Sequence, residues 1–255
     1  MARKSKENSG GVRWRMWFGI LALAAVTVST AMAALRVRRF VVTDPQFTLS
    51  HDHSDALTIE GLHYAARSKV QRVFAADFGR SVFLVPLGER RRRLLAIDWV
   101  EDVSVSRVWP DRLVVRIRER KPVAFVYLRS GVLLVDSKGV LLDPPAQAYF
   151  TFPVLSGVRE DESEADRRER VRTLLRLEEA MGYQVKDISE VDTSDPDDLR
   201  VVANVDHATV ALLLGDTNFG RRYQNFVTHY PDIAKQSPGV KTFDLRLDDR
   251  ITAKE

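Results

Sequence analysis

The segment Trp99–Ala124 reads WVEDVSVSRVWPDRLVVRIRERKPVA, with two apolar stretches on either side of a Trp-Pro-Asp sequence. Alternation of apolar and polar residues with a period of two is typical of a strand that buries one face. Proline and aspartate favour turns. The segment therefore predicts a β-hairpin that turns at Trp109-Pro110-Asp111. Its two strands carry the apolar residues Val103, Val105 and Val108, then Leu113, Val115 and Ile117, of which Val105, Val115 and Ile117 are expected to be buried.

Shorter elements are predicted before this hairpin. They are a strand at Leu57-Thr58-Ile59, a helix at Ser68–Phe74, an extended run at Phe83–Pro86 and a helix at Leu87–Ile97. The order strand, helix, helix, strand, strand predicts a compact α+β domain with helices on one face of a small sheet. We assign it to residues 57–122.

The chain after Pro122 is dominated by strand patterns. The predicted strands are Val123–Leu128, Val132–Val135, Val140–Leu142, Pro153–Gly157, Leu199–Val205, Thr209–Leu214 and Val240–Leu247, and the predicted helices are Glu160–Met181 and Phe219–Tyr230. Asp136-Ser137-Lys138-Gly139 supplies a hairpin turn. Residues 123–255 are therefore expected to form a mostly antiparallel β domain with flanking helices, so that the chain as a whole is α+β.

A transmembrane helix is predicted at residues 16–35, which contain no charged residue. About 20 residues at ~1.5 Å rise cross a hydrocarbon core of about 30 Å. Trp14 and Trp17 lie where aromatic side chains prefer the headgroup level. A cleaved signal peptide is the alternative, because Ala31-Met32-Ala33 resembles a cleavage site. The apolar run, however, is longer than the usual ~7–15 residues of a signal sequence, which favours an anchor.

The positive charge of the chain is concentrated before this helix. Residues 1–35 carry five basic residues and one acidic residue, which accounts for the whole net charge of +4. The charge bias predicts that the tail, residues 1–15, is cytoplasmic and that everything from residue 36 onward is exported. Because the remainder sums to zero, the basic character does not indicate nucleic-acid binding. Residues 36–56 are interpreted as a linker, in which the β-branched and aromatic residues predict short extended pieces at Phe40-Val41-Val42 and Phe47-Thr48-Leu49.

Charge also differs between the two exported domains. Residues 57–122 carry 14 basic and 8 acidic residues, whereas residues 123–255 carry 17 and 23. A basic domain close to anionic headgroups would be attracted to them, and we state this as a hypothesis. The run Arg90–Arg93 covers a full helical turn and is interpreted as a solvated helix face. Trp99 and Trp109 are interpreted as filling the core or turn of their own domain, with a binding surface as the alternative.

The sequence offers little that indicates an enzyme. It has no cysteine and no nucleophile-elbow, zincin or P-loop motif. The cluster His51-Asp52-His53-Ser54-Asp55 is interpreted as a polar loop rather than a metal site, and Asp195, Asp197 and Asp198 as a turn around a proline. We therefore expect no catalytic residue, metal site, cofactor or small-molecule substrate.

Four features of the opening segment recur together in one protein family. They are Trp99-Val100, the strand end Arg107-Val108-Trp109-Pro110, the strand end Glu119 and the exit Pro122-Val123-Ala124. In this order and spacing they resemble the POTRA domain of the bacterial cell-division family FtsQ/DivIB. Weaker similarities follow in family order at Leu134–Gly139, Pro153–Gly157, Leu213–Gly215 and Phe243–Arg246.

The resemblance implies a single-pass protein of the bacterial inner membrane, located at the division septum with its bulk in the periplasm. It implies a non-enzymatic scaffold that gathers FtsB-like and FtsL-like bitopic proteins and links them to the septal peptidoglycan synthase FtsW–FtsI. The alternative is a POTRA-containing secretion or outer-membrane assembly factor. That class requires a C-terminal barrel of strands of about 10 residues, and no such series is predicted after Val123.

The resemblance also implies a partner-binding site near the C-terminus. In the family, FtsB-like partners dock around the Arg and Tyr of a D-L-R-Y motif and on the strand after it. The corresponding segment here is Asp244-Leu245-Arg246-Leu247, with leucine in place of tyrosine, then a turn at Asp248-Asp249-Arg250. The implied site residues are Arg246, Leu247, Ile251, Thr252, Ala253 and Lys254. Arg246 is expected to pair with a partner carboxylate, and a frayed terminus at Ile251–Glu255 is the alternative.

Overall fold

A computed structural model describes residues 10–51 and 53–254. Predictions for residues 1–9, for Asp52 in the histidine cluster and for Glu255 lie outside the described residues. The described chain forms two compact units. One comprises the chain up to Glu60, Ser68–Leu94 and Val103–Arg116, and the other comprises Gly61–Arg67, Leu95–Asp102 and the chain from Ile117 onward.

The first element is one long helix, α1, at Gly10–Thr43. Its segment Trp17–Thr43 is the one helix of the described residues that is long and apolar enough to cross a membrane. The helix extends beyond both predicted ends, so Phe40, Val41 and Val42 are helical and not extended as their β-branched and aromatic types suggested. It ends where Pro45 begins a 3₁₀ helix, Pro45–Phe47, because the residue before a proline is held in an extended conformation.

A three-stranded sheet with two helices follows. Its elements are β1 (Leu57–Glu60), α2 (Arg67–Val73), α3 (Leu87–Leu95), β2 (Val100–Val108) and β3 (Arg112–Glu119). The strand order is β1-β3-β2, with β1 parallel to β3 and Ile59 opposite Val115. The predicted order of elements is therefore confirmed.

Details of this region differ from the sequence-based expectations. Val82–Leu84 is a 3₁₀ helix and not an extended run, because the Ser81 hydroxyl accepts the N–H of Phe83 and caps a turn. Val115 and Ile117 are buried as predicted, but Val105 is only half-buried. Arg90, expected on a solvated face, is buried.

The rest of the chain forms a nine-stranded sheet with two long helices. Its strands are β4 (Pro122–Leu128), β5 (Gly131–Asp136), β6 (Leu141–Leu142), β7 (Val154–Ser156), β8 (Ile188–Asp192), β9 (Leu199–Val205), β10 (Ala208–Gly215), β11 (Thr242–Asp244) and β12 (Thr252–Lys254), and its helices are α4 (Glu164–Met181) and α5 (Phe219–Gln236). The strand order is β12-β11-β10-β9-β8-β7-β4-β5-β6. Most neighbours are antiparallel, as predicted, and the pairs β10–β11, β4–β7 and β7–β8 are parallel.

Four predictions for this part of the chain were wrong. Strand β8 was not predicted at all, and β11 is shorter than the predicted Val240–Leu247. Helix α4 begins at Glu164 and not at Glu160, and α5 continues through Pro231 to Gln236. The core is formed by the sheet and by the inward stripes of both helices. From α5 this stripe is Phe219, Tyr223, Phe226 and Tyr230.

Candidate partner-binding edge

The predicted site lies at one edge of the nine-stranded sheet. Strand β12 is the end strand in the sheet order and pairs antiparallel with β11, with Phe243 opposite Ala253. Thr252, Ala253 and Lys254 pair in register with β11, so these residues form a strand, and all three are exposed. Its outward-facing N–H and C=O groups have no strand beside them in the described part of the chain, which is the property that allows an edge to accept an added strand.

A buried aromatic cluster holds the neighbouring strand in place. Phe243 is 1% exposed and contacts Phe226 and Tyr230 of α5, at ring-centroid distances of 5.0 and 6.1 Å. After β11 the N–H of Leu245 donates to the carbonyl of Leu213 at 2.9 Å. The edge strand β12 is thus paired with a strand, β11, that is itself packed into the core.

Asp244 is the centre of the polar contacts at this edge. Arg246 donates to it from Nε to Oδ1 at 2.9 Å and from Nη2 to Oδ2 at 2.6 Å. Lys254 of β12 places Nζ 3.0 Å from the same Oδ2. The hydrogen bonds from Arg246 are the largest influence on Asp244 and hold its pKa well below the usual range. Lys254 adds to this lowering, and burial opposes it. This carboxylate therefore connects the two terminal strands while remaining charged.

The structure changes the expected role of Arg246. Two N–H groups of its guanidinium fork are already used by Asp244, and Nη1 lies 3.5 Å from Oδ2 of Asp198. A partner carboxylate would have to compete with Asp244 to form the expected bidentate pair. In this arrangement Arg246 stabilises the edge through contacts with Asp244 and Asp198 of its own chain.

A groove of about 380 Å³ lies beside the edge and between the segment after β11 and helix α5. Leu247 is 56% exposed and lines it together with the half-buried Ile251. Arg222 closes one side, with Nε 2.7 Å from Oδ1 of Asp248 and Nη1 2.6 Å from the carbonyl oxygen of Leu214. Arg222 also lowers the pKa of Asp248. The predicted Leu247 and Ile251 thus come together as the apolar part of a charged groove.

Sequence reasoning did not identify Asp198, Arg222 or Asp248 as part of this site. Arg222 and Asp248 are 26 residues apart, and Asp198 reaches Arg246 from a separate turn. No local spacing links them, so only the sheet order brings them together. The contact of Asp244 with Arg246 is different, because the two residues are only two positions apart in the sequence.

The other sequence candidates lie elsewhere. His51 stacks on Phe78 at 4.1 Å, and Nδ1 of His53 lies 3.1 Å from Oδ2 of Asp111. Within residues 10–51 and 53–254 no three histidine or acidic side chains come together in a way that could hold a metal ion. Trp99 is buried and donates from Nε1 to the carbonyl of Asp143 at 2.9 Å, as a core residue does, whereas Trp109 is 64% exposed.

Comparison with known proteins gives two adjacent family matches. Residues 54–120 match the POTRA domain of FtsQ type, and residues 124–246 match the C-terminal domain of cell division protein FtsQ/DivIB. The second match therefore ends at Arg246.

Individual relatives agree with these matches. Cell division protein FtsQ of Koribacter versatilis is 37% identical over 206 residues, which are 78% of this chain and 59% of that protein. Cell division protein FtsQ of Zymomonas mobilis is 40% identical over 91 residues, 34% of this chain and 29% of the relative. The chain thus matches less than two thirds of the length of either relative.

A solved structure, the major extracytoplasmic domain of the trans isomer of the cell division protein DivIB from Geobacillus stearothermophilus, shares 24% sequence identity. It covers 46% of this chain and 92% of its own, at a TM-score of 0.27, and we draw nothing from it. The two family matches, which follow one another along the chain, and the identity to FtsQ of K. versatilis decide the assignment. The chain belongs to the FtsQ/DivIB family of cell division proteins.

Proposed function

We propose that this protein is a non-enzymatic scaffold of the division machinery that binds FtsB-like and FtsL-like bitopic proteins through the β12 edge and links them to FtsW and FtsI. Family membership supports the role in division, and the match to an FtsQ-type POTRA domain favours it over a secretion or barrel-assembly factor. The main observation in support of this binding site is that Thr252–Lys254 forms an exposed strand at the end of the sheet.

The proposed topology is single-pass, with residues 1–15 in the cytoplasm and residues 36–255 in the periplasm, at the septum. Helix α1 supports the anchor, since its side chains from Trp17 to Phe40 are exposed and mostly apolar. The basic tail supports the direction. We also propose a division of the exported part at Pro122. A reporter that works only in the periplasm, fused after Glu255, is expected to be active, and a stable but inactive fusion would contradict the topology.

The proposed mode of binding is strand addition. A partner segment would extend the sheet by pairing with the backbone of β12, and its side chains would contact the groove at Leu247 and Ile251. Backbone pairing supplies affinity and the groove supplies selectivity. Leucine at position 247 in place of the family tyrosine removes a hydroxyl and an aromatic face, so an apolar partner side chain fits best there.

A proline scan of β12 tests this mode. Along an edge strand, successive N–H groups point alternately toward β11 and toward the outside. Proline removes one N–H group, so at an inward position it weakens the fold, and at an outward position it leaves the melting temperature unchanged. Variants Thr252→Pro, Ala253→Pro and Lys254→Pro of the full-length protein are compared for melting temperature and for capture of FtsB-like and FtsL-like proteins from the same genome.

We expect the outward positions, identified by an unchanged melting temperature, to lose most partner capture. A chain that ends after Arg250 keeps the Asp248–Arg222 pair and removes β12, and it is also expected to lose capture. Tyr183→Ala, at an exposed residue after α4, serves as the control and should behave as wild type. If the truncated chain and the outward proline variants fold and capture both partners at wild-type affinity, the binding site is elsewhere.

A further inference from the structure

Four aromatic rings join the end of α1 to the hairpin of the first unit. Phe40 contacts Phe47 at a centroid distance of 5.8 Å, Phe47 contacts Phe83 and Trp109 at 5.5 and 5.6 Å, and Phe83 contacts Trp109 at 5.1 Å. All of these contacts are edge-to-face, the preferred geometry for aromatic pairs. We call Phe40, Phe47, Phe83 and Trp109 the aromatic tip.

The aromatic tip and the residues next to it in the chain leave four large apolar side chains exposed. Phe47 is buried at its centre, but Trp109 is 64% exposed and Phe40 is 53% exposed. The neighbouring residues Leu84 and Val108 are 41% and 37% exposed. Clustered exposed apolar residues of this kind mark a surface that something else covers.

The chain holds this surface firmly against the end of the helix. The Ser81 hydroxyl donates to the carbonyl of Val41 at 2.9 Å and so satisfies one of the free carbonyls in the last turn of α1. Thr48 forms a β-bridge with Ser81. Arg107 donates from Nε to the carbonyl of Val82 and from Nη2 to that of Val85, both at 2.7 Å. The position of the tip is therefore tied to the position of the helix.

The depth of the helix end follows from its rise. The uncharged stretch ends at Leu35, and Phe40 is five residues further, which is about 7.5 Å along the axis. Each headgroup layer is roughly 5–8 Å thick, the difference between a core of about 30 Å and a full bilayer of about 40–45 Å shared by two sides. Phe40 is thus placed at headgroup level, and Trp109 is joined to it through the ring of Phe47. Tryptophan is enriched at that level.

Charge at the same level has the sign that a bilayer attracts. Arg36, Arg38 and Arg39 lie in the turns between Leu35 and Phe40. Basic residues near an anionic surface are attracted to it. The aromatic tip and these three arginines therefore suit the lipid interface, where apolar chains meet charged headgroups.

We propose that the aromatic tip, with Leu84 and Val108, inserts into the headgroup layer of the bilayer that α1 crosses. The inference rests on the anchor role proposed above, and its occupant is lipid. Trp109 is the most exposed residue of the tip, and Arg36, Arg38 and Arg39 hold anionic headgroups around it. The first unit is then fixed against the membrane surface at two points, the helix and the hairpin turn.

The absence of cysteine allows a direct measurement of depth in the whole protein. Spin labels are placed on single-cysteine variants of the full chain, reconstituted in phosphatidylcholine vesicles with and without phosphatidylglycerol. The labelled positions are Leu84, Val108, Ser104 and Val28. Accessibility to oxygen, which dissolves in the bilayer, is compared with accessibility to a water-soluble nickel complex. Ser104 is the matched control, since it is exposed on the same strand about 13 Å from Val108.

We expect the ratio of oxygen to nickel accessibility to be several-fold higher at Leu84 and Val108 than at Ser104. Trp109→Ser should lower the ratio at Leu84 toward that of Ser104, while Trp109→Phe should keep it high. The inference is wrong if the accessibility ratio at Leu84 and Val108 is as low as at Ser104 while the ratio at Val28 has the high value of the bilayer core. The tip would then be open to a protein partner. If the ratio at Val28 is also as low as at Ser104, helix α1 does not span the bilayer. The proposed anchor and the inference that rests on it are then both wrong.

Discussion

The guanidinium of Arg90 holds the carboxylate of Asp77 through two hydrogen bonds, from Nε to Oδ2 at 2.6 Å and from Nη2 to Oδ1 at 2.9 Å. Asp77 is 0% exposed and Arg90 5% exposed. The pair ties helix α3 to the turn after α2. Its neighbour Arg93 instead pairs with Glu89 on the exposed side, at 2.6 Å. Arg90, the first residue of the run Arg90–Arg93, is therefore a structural residue.

Removing one partner of this pair is expected to be costly. Asp77→Ala leaves a buried guanidinium without its counter-charge, and such a change costs about 3–5 kcal/mol of unfolding free energy. Arg92→Ala, at an exposed position in the same run, should change it by less than about 0.5 kcal/mol. Urea unfolding of the full-length protein in detergent measures both. The double variant Asp77→Leu/Arg90→Met should recover most of the loss, and equal costs for Asp77→Ala and Arg92→Ala would show that the pair does not stabilise the fold.

Two valines of the hairpin should respond differently to the same substitution. Val115 is 0% exposed and lies opposite Ile59, whereas Val105 is half-buried. Val115→Asp buries an unpaired carboxylate and should cost several kcal/mol, about 3 or more. Val105→Asp keeps access to water and should cost less than half as much. Melting temperatures of the two variants decide this, and a smaller drop for Val115→Asp would contradict the strand register.

Two glycines at equivalent helix positions give opposite predictions. Gly88 and Gly220 are each the second residue of their helix, in α3 and α5. A Cβ at Gly88 meets no atom within 4 Å, but a Cβ at Gly220 would lie 2.2 Å from the carbonyl oxygen of Ala180. Gly88→Ala should stabilise by up to about 1 kcal/mol through the lost freedom of the unfolded chain. Gly220→Ala should destabilise by about 1–3 kcal/mol, because α4 and α5 must move apart. Matched changes in urea midpoint would show that the helices are not packed this closely.

The strands with regular alternation were predicted well because their signal is local. The hairpin at Trp109–Asp111 and the turn at Asp136–Gly139 are examples. Strand β8 was missed because a register irregularity between Ile188 and Glu190 breaks its alternation. Phe40–Val42 was misread because strand-forming residue types continue a helix that tertiary contacts hold.

Contacts between distant residues could not be predicted from one sequence. The buried pair Asp77–Arg90 depends on how α3 packs, and the run Arg90–Arg93 by itself indicates only solvent. Glu119 is a similar case. Its carboxylate accepts the backbone N–H groups of His63, Tyr64 and Ala65 at 2.8–3.0 Å, more than fifty residues earlier. The family resemblance marked Glu119 as a pattern residue, and the structure supplies the reason for it.

The site was predicted in part for the same reason. Leu247, Ile251 and Thr252–Lys254 were identified from the family pattern, and they form one edge and one groove. The contact of Arg246 with Asp198, which comes from a turn far earlier in the sequence, is seen only in the folded chain.

Acid should weaken the β11–β12 edge through Asp244. In the folded chain its pKa lies below the ordinary value of about 3.9, because Arg246 and then Lys254 stabilise the carboxylate. A carboxylate with a lowered folded-state pKa contributes stability that is fully present above the unfolded value and is lost as the pH falls through the folded one. Asp244→Asn should therefore be less stable than wild type near neutral pH, and the difference should shrink below about pH 4.

Unfolding free energies in urea at pH 7, 5, 4 and 3 measure this difference, with partner capture recorded at neutral pH. Asp248→Asn is the comparison, because Arg222 lowers the pKa of Asp248 in the same direction but its side chain is more exposed, 38% against 16% for Asp244. The pH-dependent part of the loss should be smaller for Asp248→Asn, since water screens an exposed pair. Asp244→Asn should also reduce partner capture. It removes the negative charge with which Lys254 pairs, and that pair holds β12 beside β11. A difference between wild type and Asp244→Asn that stays constant from pH 7 to pH 3 would mean that the carboxylate charge does not stabilise this edge.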